Sequence, residues 1–129
     1  SNTMLLIESI YTKLLTHPKE TKTVENEDMK KLLDVRDKIY KMIDEGKLPE
    51  IKSMTRKQRK EVDAKKLNYF KYGIDSNQNL ITKQEQSVDW VLDNVYPDFD
   101  FDDLPNNVCF VFGQMVFAAT YGDKVSEKN

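Results

Sequence analysis

Four aspartates stand among aromatic residues in the stretch YPDFDFDDLP, residues 96–105, which has a proline near each end. They are Asp98, Asp100, Asp102 and Asp103. Carboxylates at alternate positions can bind a metal ion, act as acid and base in catalysis, or keep a connecting segment in water. The neighbouring residues decide between these uses.

Calcium binding would need two residues that the stretch lacks. A loop of the EF-hand type beginning at Asp98 matches at Asp100 and Asp102. Asp103 stands where that loop needs its turn glycine, and Cys109 stands where it needs the closing bidentate glutamate. Because both positions are essential to the loop, we expect no metal site.

The apolar residues of the same stretch favour the structural use. Phe99, Phe101 and Leu104 alternate with the acids, which predicts an extended segment with one side packed on the protein and the other in water. Asp102 and Asp103 precede a predicted helix, whose N-terminal end favours anions by about 0.3–1 kcal/mol each. We interpret the stretch as a structured acidic connector between two helices.

Other catalytic patterns do not occur in the sequence. His17 is the one histidine, and it stands beside Pro18 with no recognisable partner, so no Ser–His–Asp arrangement can be assigned. The sequence has neither a glycine-rich phosphate loop nor an HExxH motif. We expect a protein that is not an enzyme, with no catalytic residue and no cofactor.

The composition is typical of a folded protein outside the membrane. Hydrophobic residues make up 39% and charged residues 33% of the 129 positions. No apolar run approaches the roughly 20 residues that a membrane-spanning helix needs. Ser1–Thr3 precede Met4 and look like the remnant of an expression tag. The lone Cys109 excludes an internal disulfide and suits a reducing compartment, so we expect a cytoplasmic protein.

Charge is unevenly distributed along the chain. Residues 84–123 contain eight acidic residues and no Lys or Arg, which gives them a charge of −8. Because the whole chain has a net charge of −2, the remaining residues carry +6. Such a polarity points to contacts that complementary charge would steer.

The basic residues are concentrated in TRKQRKEVDAKK, residues 55–66. One interpretation is a phosphate-binding helix, which makes a small nucleic-acid-binding or regulatory protein the alternative function. A second is a solvated helix face. A third is that this helix meets the acidic half, within one molecule or between neighbours. The basic residues concerned are Arg56, Lys57, Arg59 and Lys60.

Hydrophobic residues recur at helical spacing, and glycine and proline number only four each. This pattern predicts an all-α protein, with a single domain of four to five helices at residues 4–122 and a disordered tail at 123–129. The last helix is apolar nearly all round, so we expect it to be central. The expected helices cover residues 4–16, 26–45, 55–66, 82–96 and 107–121.

Capping signals set the expected helix ends. Starts are predicted at capping boxes and asparagine caps. Stops are predicted at glycines in a left-handed conformation. The starts are Asn26, Thr55 with Gln58, Thr82 with Glu85, and Asn106, and the stops are Gly46 and Gly122.

Several motifs in the second half of the chain resemble those of a known family. They are a basic TRKQRKE helix, a DWVLDNVYP helix, an aspartate-rich DFDDLP, and a final apolar helix ending in TYG. Together they cover roughly residues 54–122. The pattern is similar to the small helical tail assembly chaperones of long-tailed bacteriophages that infect Gram-positive bacteria. The first fifty residues do not follow it.

The resemblance implies a non-enzymatic protein of the host-cell cytoplasm. Such a chaperone coats the helical tape-measure protein, helps to recruit tail-tube subunits, and needs exposed binding surface and reversible self-association. Exposed aromatics would add contact area, unless they pack in the core; the candidates are Tyr69, Phe70 and Tyr72. The expected partner-binding residues are Arg56, Lys57, Arg59, Lys60, Asp98, Asp100, Asp102 and Asp103.

The defective calcium loop generates a direct test. Calcium at about 1 mM, the concentration range of weak extracellular sites, should change the melting temperature by no more than about one degree. Thermal melts with and without calcium measure this. A clear stabilisation that Asp100→Asn abolishes would mean that the stretch binds the ion.

Overall fold

The computed structural model describes residues 27–68 and 80–127 of the chain. Within these ranges it contains four α-helices and no β-strand, which confirms the all-α prediction for the described part. The helices are α1 (Glu27–Asp44), α2 (Arg56–Ala64), α3 (Leu80–Val95) and α4 (Asn106–Glu127).

Several sequence predictions lie outside the described residues. These are the helix at 4–16, the Asn26 cap, the environment of His17, and the placement of Tyr69, Phe70 and Tyr72.

The helix α1 ends at Asp44, and Gly46 follows it as the left-handed stop that the sequence predicts. This glycine has φ +74°, in the left-handed region that it adopts without the steric cost of a Cβ atom. The Gly46 N–H donates to the Ile43 carbonyl at 3.0 Å, and the Lys47 N–H donates to the Met42 carbonyl at 2.8 Å. These two bonds form the Schellman motif that satisfies the last carbonyls of a helix.

The helix α2 begins at the predicted capping box. The Thr55 hydroxyl accepts from the Gln58 N–H at 3.2 Å, and the Gln58 side chain accepts from the Thr55 N–H at 2.9 Å. Val62 is the buried residue of this helix, so its apolar face is as narrow as the sequence indicates. The N-terminal end of α2 is therefore fixed largely by its cap.

The end of α2 differs from the prediction. The helix stops at Ala64 rather than Lys66, because Lys66 adopts a left-handed conformation with φ +56°. Its N–H donates to the Asp63 carbonyl at 3.0 Å, and the Leu67 N–H donates to the Val62 carbonyl at 2.9 Å. This is a second Schellman motif, with buried Val62 and Leu67 as its hydrophobic pair.

The helix α3 begins earlier than predicted. It starts at Leu80, so Thr82 lies inside the first turn and is not the N-cap. Leucine is a strong helix former, which allows the helix to extend upstream of the expected capping box. The predicted end is confirmed, since α3 stops at Val95, two residues before Pro97.

The helix α4 is longer than predicted at both ends. It begins at Asn106 rather than Asn107, with the Cys109 N–H donating to the Pro105 carbonyl at 3.2 Å. It continues through Gly122 to Glu127, so the predicted stop is wrong and the first five residues of the expected tail are helical. Gly122 is buried, and a glycine inside a helix costs only about 1 kcal/mol relative to alanine.

Packing around α4 buries most of the apolar side chains. This helix packs against both α1 and α3, while α2 packs against α3. No residue of α4 from Val108 to Gly122 is exposed. The fully buried side chains of the core include Ile39, Val62, Val91, Val108, Phe112, Val116 and Phe117.

Tyr96 connects the end of α3 to the segment between α1 and α2. Its hydroxyl donates to the Glu50 carbonyl at 2.8 Å and accepts from the Lys52 N–H at 3.0 Å. Nearby, the Met54 N–H donates to the Thr120 hydroxyl at 2.9 Å. The segment 47–55 is therefore attached to both α3 and α4, although it has no regular structure of its own.

The helices α3 and α4 approach each other closely at Gly113. A Cβ atom placed there would lie 2.5 Å from Val88 Cγ1, 2.8 Å from its Cγ2 and 2.9 Å from its Cβ. Real Cβ atoms essentially never make such short contacts, and the branched valine side chain has little freedom to move away. Glycine is therefore required by space at this position and not by backbone conformation.

Gly113→Ala should destabilise the protein, although alanine is the better helix former. The helix propensity gain is about 1 kcal/mol, while overpacking a core typically costs about 1–3 kcal/mol. Adding Val88→Ala removes both clashing methyl groups, so the double variant should lose less stability than the two single variants together. Urea denaturation of the four proteins measures this cycle. A Gly113→Ala variant more stable than the parent would contradict the close packing of α3 on α4.

Candidate interaction surfaces

The acidic connector between α3 and α4 is folded into turns. The Phe99 N–H donates to the Tyr96 carbonyl at 3.2 Å, and the Leu104 N–H donates to the Phe101 carbonyl at 3.1 Å. The expectation of an extended segment is therefore wrong. Two successive turns instead reverse the chain, which allows the connector to pack its aromatic residues while its acids stay in water.

The apolar side of the connector packs on the core, as predicted. Phe101 is 7% exposed, and its ring centroid lies 5.9 Å from that of Tyr96, 5.2 Å from that of Phe112 and 4.6 Å from that of Phe99. Aromatic contacts in this range stabilise a fold beyond the area that they bury. The acidic side is also confirmed, since all four predicted carboxylates are exposed: Asp98, Asp100, Asp102 and Asp103.

Part of this acidic side forms a cleft with α3. An open cavity of about 450 Å³ lies between the connector, α3 and the start of α4. We call it the acidic cleft. Its carboxylates belong to Asp89, Asp93, Asp100 and Asp102, and its other lining residues are Leu92, Phe99, Phe101, Leu104, Asn106 and Cys109.

The acidic cleft divides the predicted site residues. Asp100 and Asp102 line it, while Asp98 and Asp103 do not. Two further carboxylates, Asp89 and Asp93, come from α3 and were not among the predicted residues. Their spacing of four residues is a signal in the sequence, because it places both on one helix face, away from the apolar stripe.

The thiol of Cys109 reports the electrostatics of this cleft. It is half-buried, with Sγ 3.4 Å from the Phe101 carbonyl oxygen. Burial raises the pKa of the thiol, and the negative charges of Asp102 and Asp89 raise this pKa further. The neutral thiol is therefore the form that the cleft favours, since a thiolate would be a further anion beside carboxylates.

Hydrogen bonding within the connector orients one of these carboxylates. Asp100 Oδ1 accepts from the Asp102 N–H at 2.8 Å.

Among the residues that the structure describes, no three or more His, Cys, Asp or Glu side chains are grouped so that they could hold a metal ion.

The basic residues of α2 also separate into two groups. Arg56, Lys57 and Lys60 are exposed, and we call these three side chains the basic face. Arg59 is half-buried and lies near Tyr121. Burial raises the pKa of Tyr121 to about 12, Asp63 adds to this effect, and Arg59 opposes it. Arg59 therefore lies on the packed side of α2, apart from the other three predicted basic residues.

Two contacts attach α2 and the residues after it to α3. The Gln58 side chain donates from Nε2 to the Asn94 carbonyl at 3.3 Å. The buried Ser87 hydroxyl hydrogen-bonds to the carbonyl oxygen of Leu67, just after α2. These contacts fix which side of α3 carries the basic helix.

No family model, no curated protein and no solved structure matches the chain. Within the described ranges, none of the helices combines the length and the hydropathy that crossing a bilayer would demand. The charge and shape of the acidic cleft and the basic face are therefore the observations that bear on function.

Cys109 provides a test of the charge in the acidic cleft. Replacing Asp102 or Asp89 by asparagine removes a negative charge near the thiol, so its pKa should fall and the thiolate should form at lower pH. The rate of alkylation by iodoacetamide against pH gives the midpoint, which should move to lower pH in each variant. Asp98→Asn is the matched control and should leave the midpoint unchanged. An unchanged midpoint in Asp102→Asn and Asp89→Asn would contradict this electrostatic arrangement.

Proposed function

We propose that this chain is a tail assembly chaperone of a long-tailed bacteriophage. In this role it binds the helical tape-measure protein in the host cytoplasm and helps to recruit tail-tube subunits. The observation that supports the proposal most directly is the presence of two exposed surfaces of opposite charge on one helical core. The basic face and the acidic cleft both fall within the motifs that resemble this family, at roughly residues 54–122.

The proposal includes one folded unit at residues 4–122 with α4 as its central helix. Two features of the described residues support this arrangement: α4 packs against both α1 and α3, and none of its residues from Val108 to Gly122 is exposed. Such a core would hold both charged surfaces in fixed positions. A protein that binds a partner without chemistry needs this rigidity more than it needs an enclosed pocket.

The acidic cleft is the surface that we assign to the client. Its lining combines four carboxylates with half-buried Phe99 and Leu104 and buried Leu92. A helical client with basic side chains along one face would gain attraction from the carboxylates and apolar contact from these three side chains. Because the carboxylates are exposed, this attraction should affect the association rate and the register more than the affinity.

Binding to a tape-measure fragment tests the proposal. We expect the chain to form a complex with helical fragments of the tape-measure protein encoded beside it, and to keep them soluble on co-expression. Titration calorimetry should show weaker binding as salt rises from 50 to 500 mM, because exposed charges are screened beyond about 8–10 Å at physiological salt. Asp100→Asn combined with Asp102→Asn should weaken the complex, while Asp98→Asn combined with Asp103→Asn should not.

The alternative function predicts a different result. The exposed basic face is the observation that favours a nucleic-acid-binding protein. Such a protein should bind a generic DNA duplex, and this binding should weaken steeply as the salt concentration rises. Fluorescence anisotropy with such a duplex, measured on the parent and on an Arg56→Gln, Lys57→Gln variant, tests this directly. Duplex binding that this variant loses, together with no complex with any tape-measure fragment, would replace the chaperone proposal.

A further inference from the structure

The basic face points away from α3, the helix on which α2 packs. At about 100° per residue around a helix, Arg56, Lys57 and Lys60 lie about 120–160° from Val62, the buried residue of α2. Gln58, which contacts α3, lies only about 40° from Val62. The three cations therefore project from the side of α2 opposite to its contact with α3.

The acidic cleft lies on the other side of α3 from α2. Asn94 and Ser87, which contact Gln58 and Leu67, lie about 140° and 160° around α3 from Asp89. Asp93 is only about 40° from Asp89. The two oppositely charged surfaces are thus on opposite sides of one helix, and one molecule cannot bring them together while α2 stays packed on α3.

We propose that the basic face of one copy binds in the acidic cleft of a second copy of this chain. The charges are opposite in sign and similar in number, with three cations on the basic face and four carboxylates in the cleft. The long stems of Arg56, Lys57 and Lys60 can also pack on the apolar residues that line the cleft while their charged ends reach its carboxylates. The nine-residue α2 is about 14 Å long, so a single helix presents the whole basic face.

This contact joins two different surfaces, so it is heterologous. Each added copy leaves one basic face and one acidic cleft unused at the two ends, and the product is an open chain of copies unless the rotation between neighbours closes a ring. The inference deepens the proposed function. It rests on that function in one respect, namely that the chain is an interaction protein. Both contacts use the acidic cleft, so a client and a second copy compete for it. The contact between copies requires no client, so it would stand even if the tape-measure protein proved to be the wrong partner.

Neutralising each surface separately tests the contact. One variant carries Arg56→Gln, Lys57→Gln and Lys60→Gln, and the other carries Asp89→Asn, Asp93→Asn and Asp100→Asn. Each change removes charge without reversing it, and asparagine retains the Oδ1 acceptor that Asp100 offers to the Asp102 N–H. Removing three exposed ion pairs should raise the dissociation constant about tenfold or more.

Sedimentation velocity at low salt gives the expected pattern. The parent protein should form assemblies that grow with concentration and dissociate at high salt, while each variant alone should stay monomeric. An equal mixture of the two variants should form dimers and nothing larger, because only one intact cleft and one intact basic face can pair. Mixed variants that remain monomeric, or a parent that is monomeric under all conditions, would overturn the proposal.

Two control proteins separate this contact from general charge effects. Asp98→Asn with Asp103→Asn removes connector acids that do not line the cleft, and Lys31→Gln with Lys38→Gln removes exposed cations of α1. Both controls should assemble like the parent. Circular dichroism should show unchanged helix content in all variants, and loss of assembly in both controls would overturn the assignment to these two surfaces.

Cross-linking between copies gives a second measurement. Cys109 lines the acidic cleft and is the one cysteine of the chain, so Lys60→Cys introduces a single additional thiol, on the basic face. A short bismaleimide should then join position 60 of one copy to Cys109 of another, and mass spectrometry identifies the linked peptides. Lys38→Cys on α1 is the matched control. Links only between identical positions would show a symmetric contact and overturn the head-to-tail arrangement.

Discussion

Tyr96 is the side chain that holds α3, α4, the acidic connector and the segment 47–55 in their relative positions. Its buried ring contacts Phe101 at 5.9 Å and Phe112 at 5.2 Å between centroids, while its hydroxyl bonds to the backbone at Glu50 and Lys52. Burial raises the pKa of this phenol, so the hydroxyl keeps the proton that it donates. One side chain therefore joins α3, α4, the acidic connector and the segment 47–55. Removing it would leave the Glu50 carbonyl and the Lys52 N–H without this partner and would also leave a cavity in the core.

The acidic connector shows how packing creates a charged surface. Phe101 occupies the space between Tyr96 and Phe112, and this contact fixes the direction of the turns on both sides of it. Since the aromatic side chains face inward, the aspartates between them must face outward. The same turns bring Asp100 and Asp102 next to α3 and leave Asp98 and Asp103 outside the cleft. The charge pattern of the surface is thus a consequence of how the core is filled.

The sequence predicts the helices better than it predicts how they and the connector pack together. Periodicity and caps identify α1, the start of α2 and the end of α3, because these signals are local. The left-handed conformation of Lys66, which accompanies the end of α2 at Ala64, was not expected, since lysine has no preference for it. The acidic cleft was missed for a different reason: Asp89 and Asp102 come together only when α3 and the connector pack. A charge count along the chain cannot show which charges share a surface.

The burial of α4 also has a consequence for synthesis of the chain on the ribosome. No residue from Val108 to Gly122 is exposed, and this helix covers the apolar faces of α1 and α3. The ribosome makes α4 after α1, α2 and α3, so the surfaces of α1 and α3 that pack on α4 remain in water until it emerges. Exposed apolar surface of this kind makes a nascent chain prone to aggregation. Packing of α1 and α3 therefore cannot be completed before α4 has been synthesised.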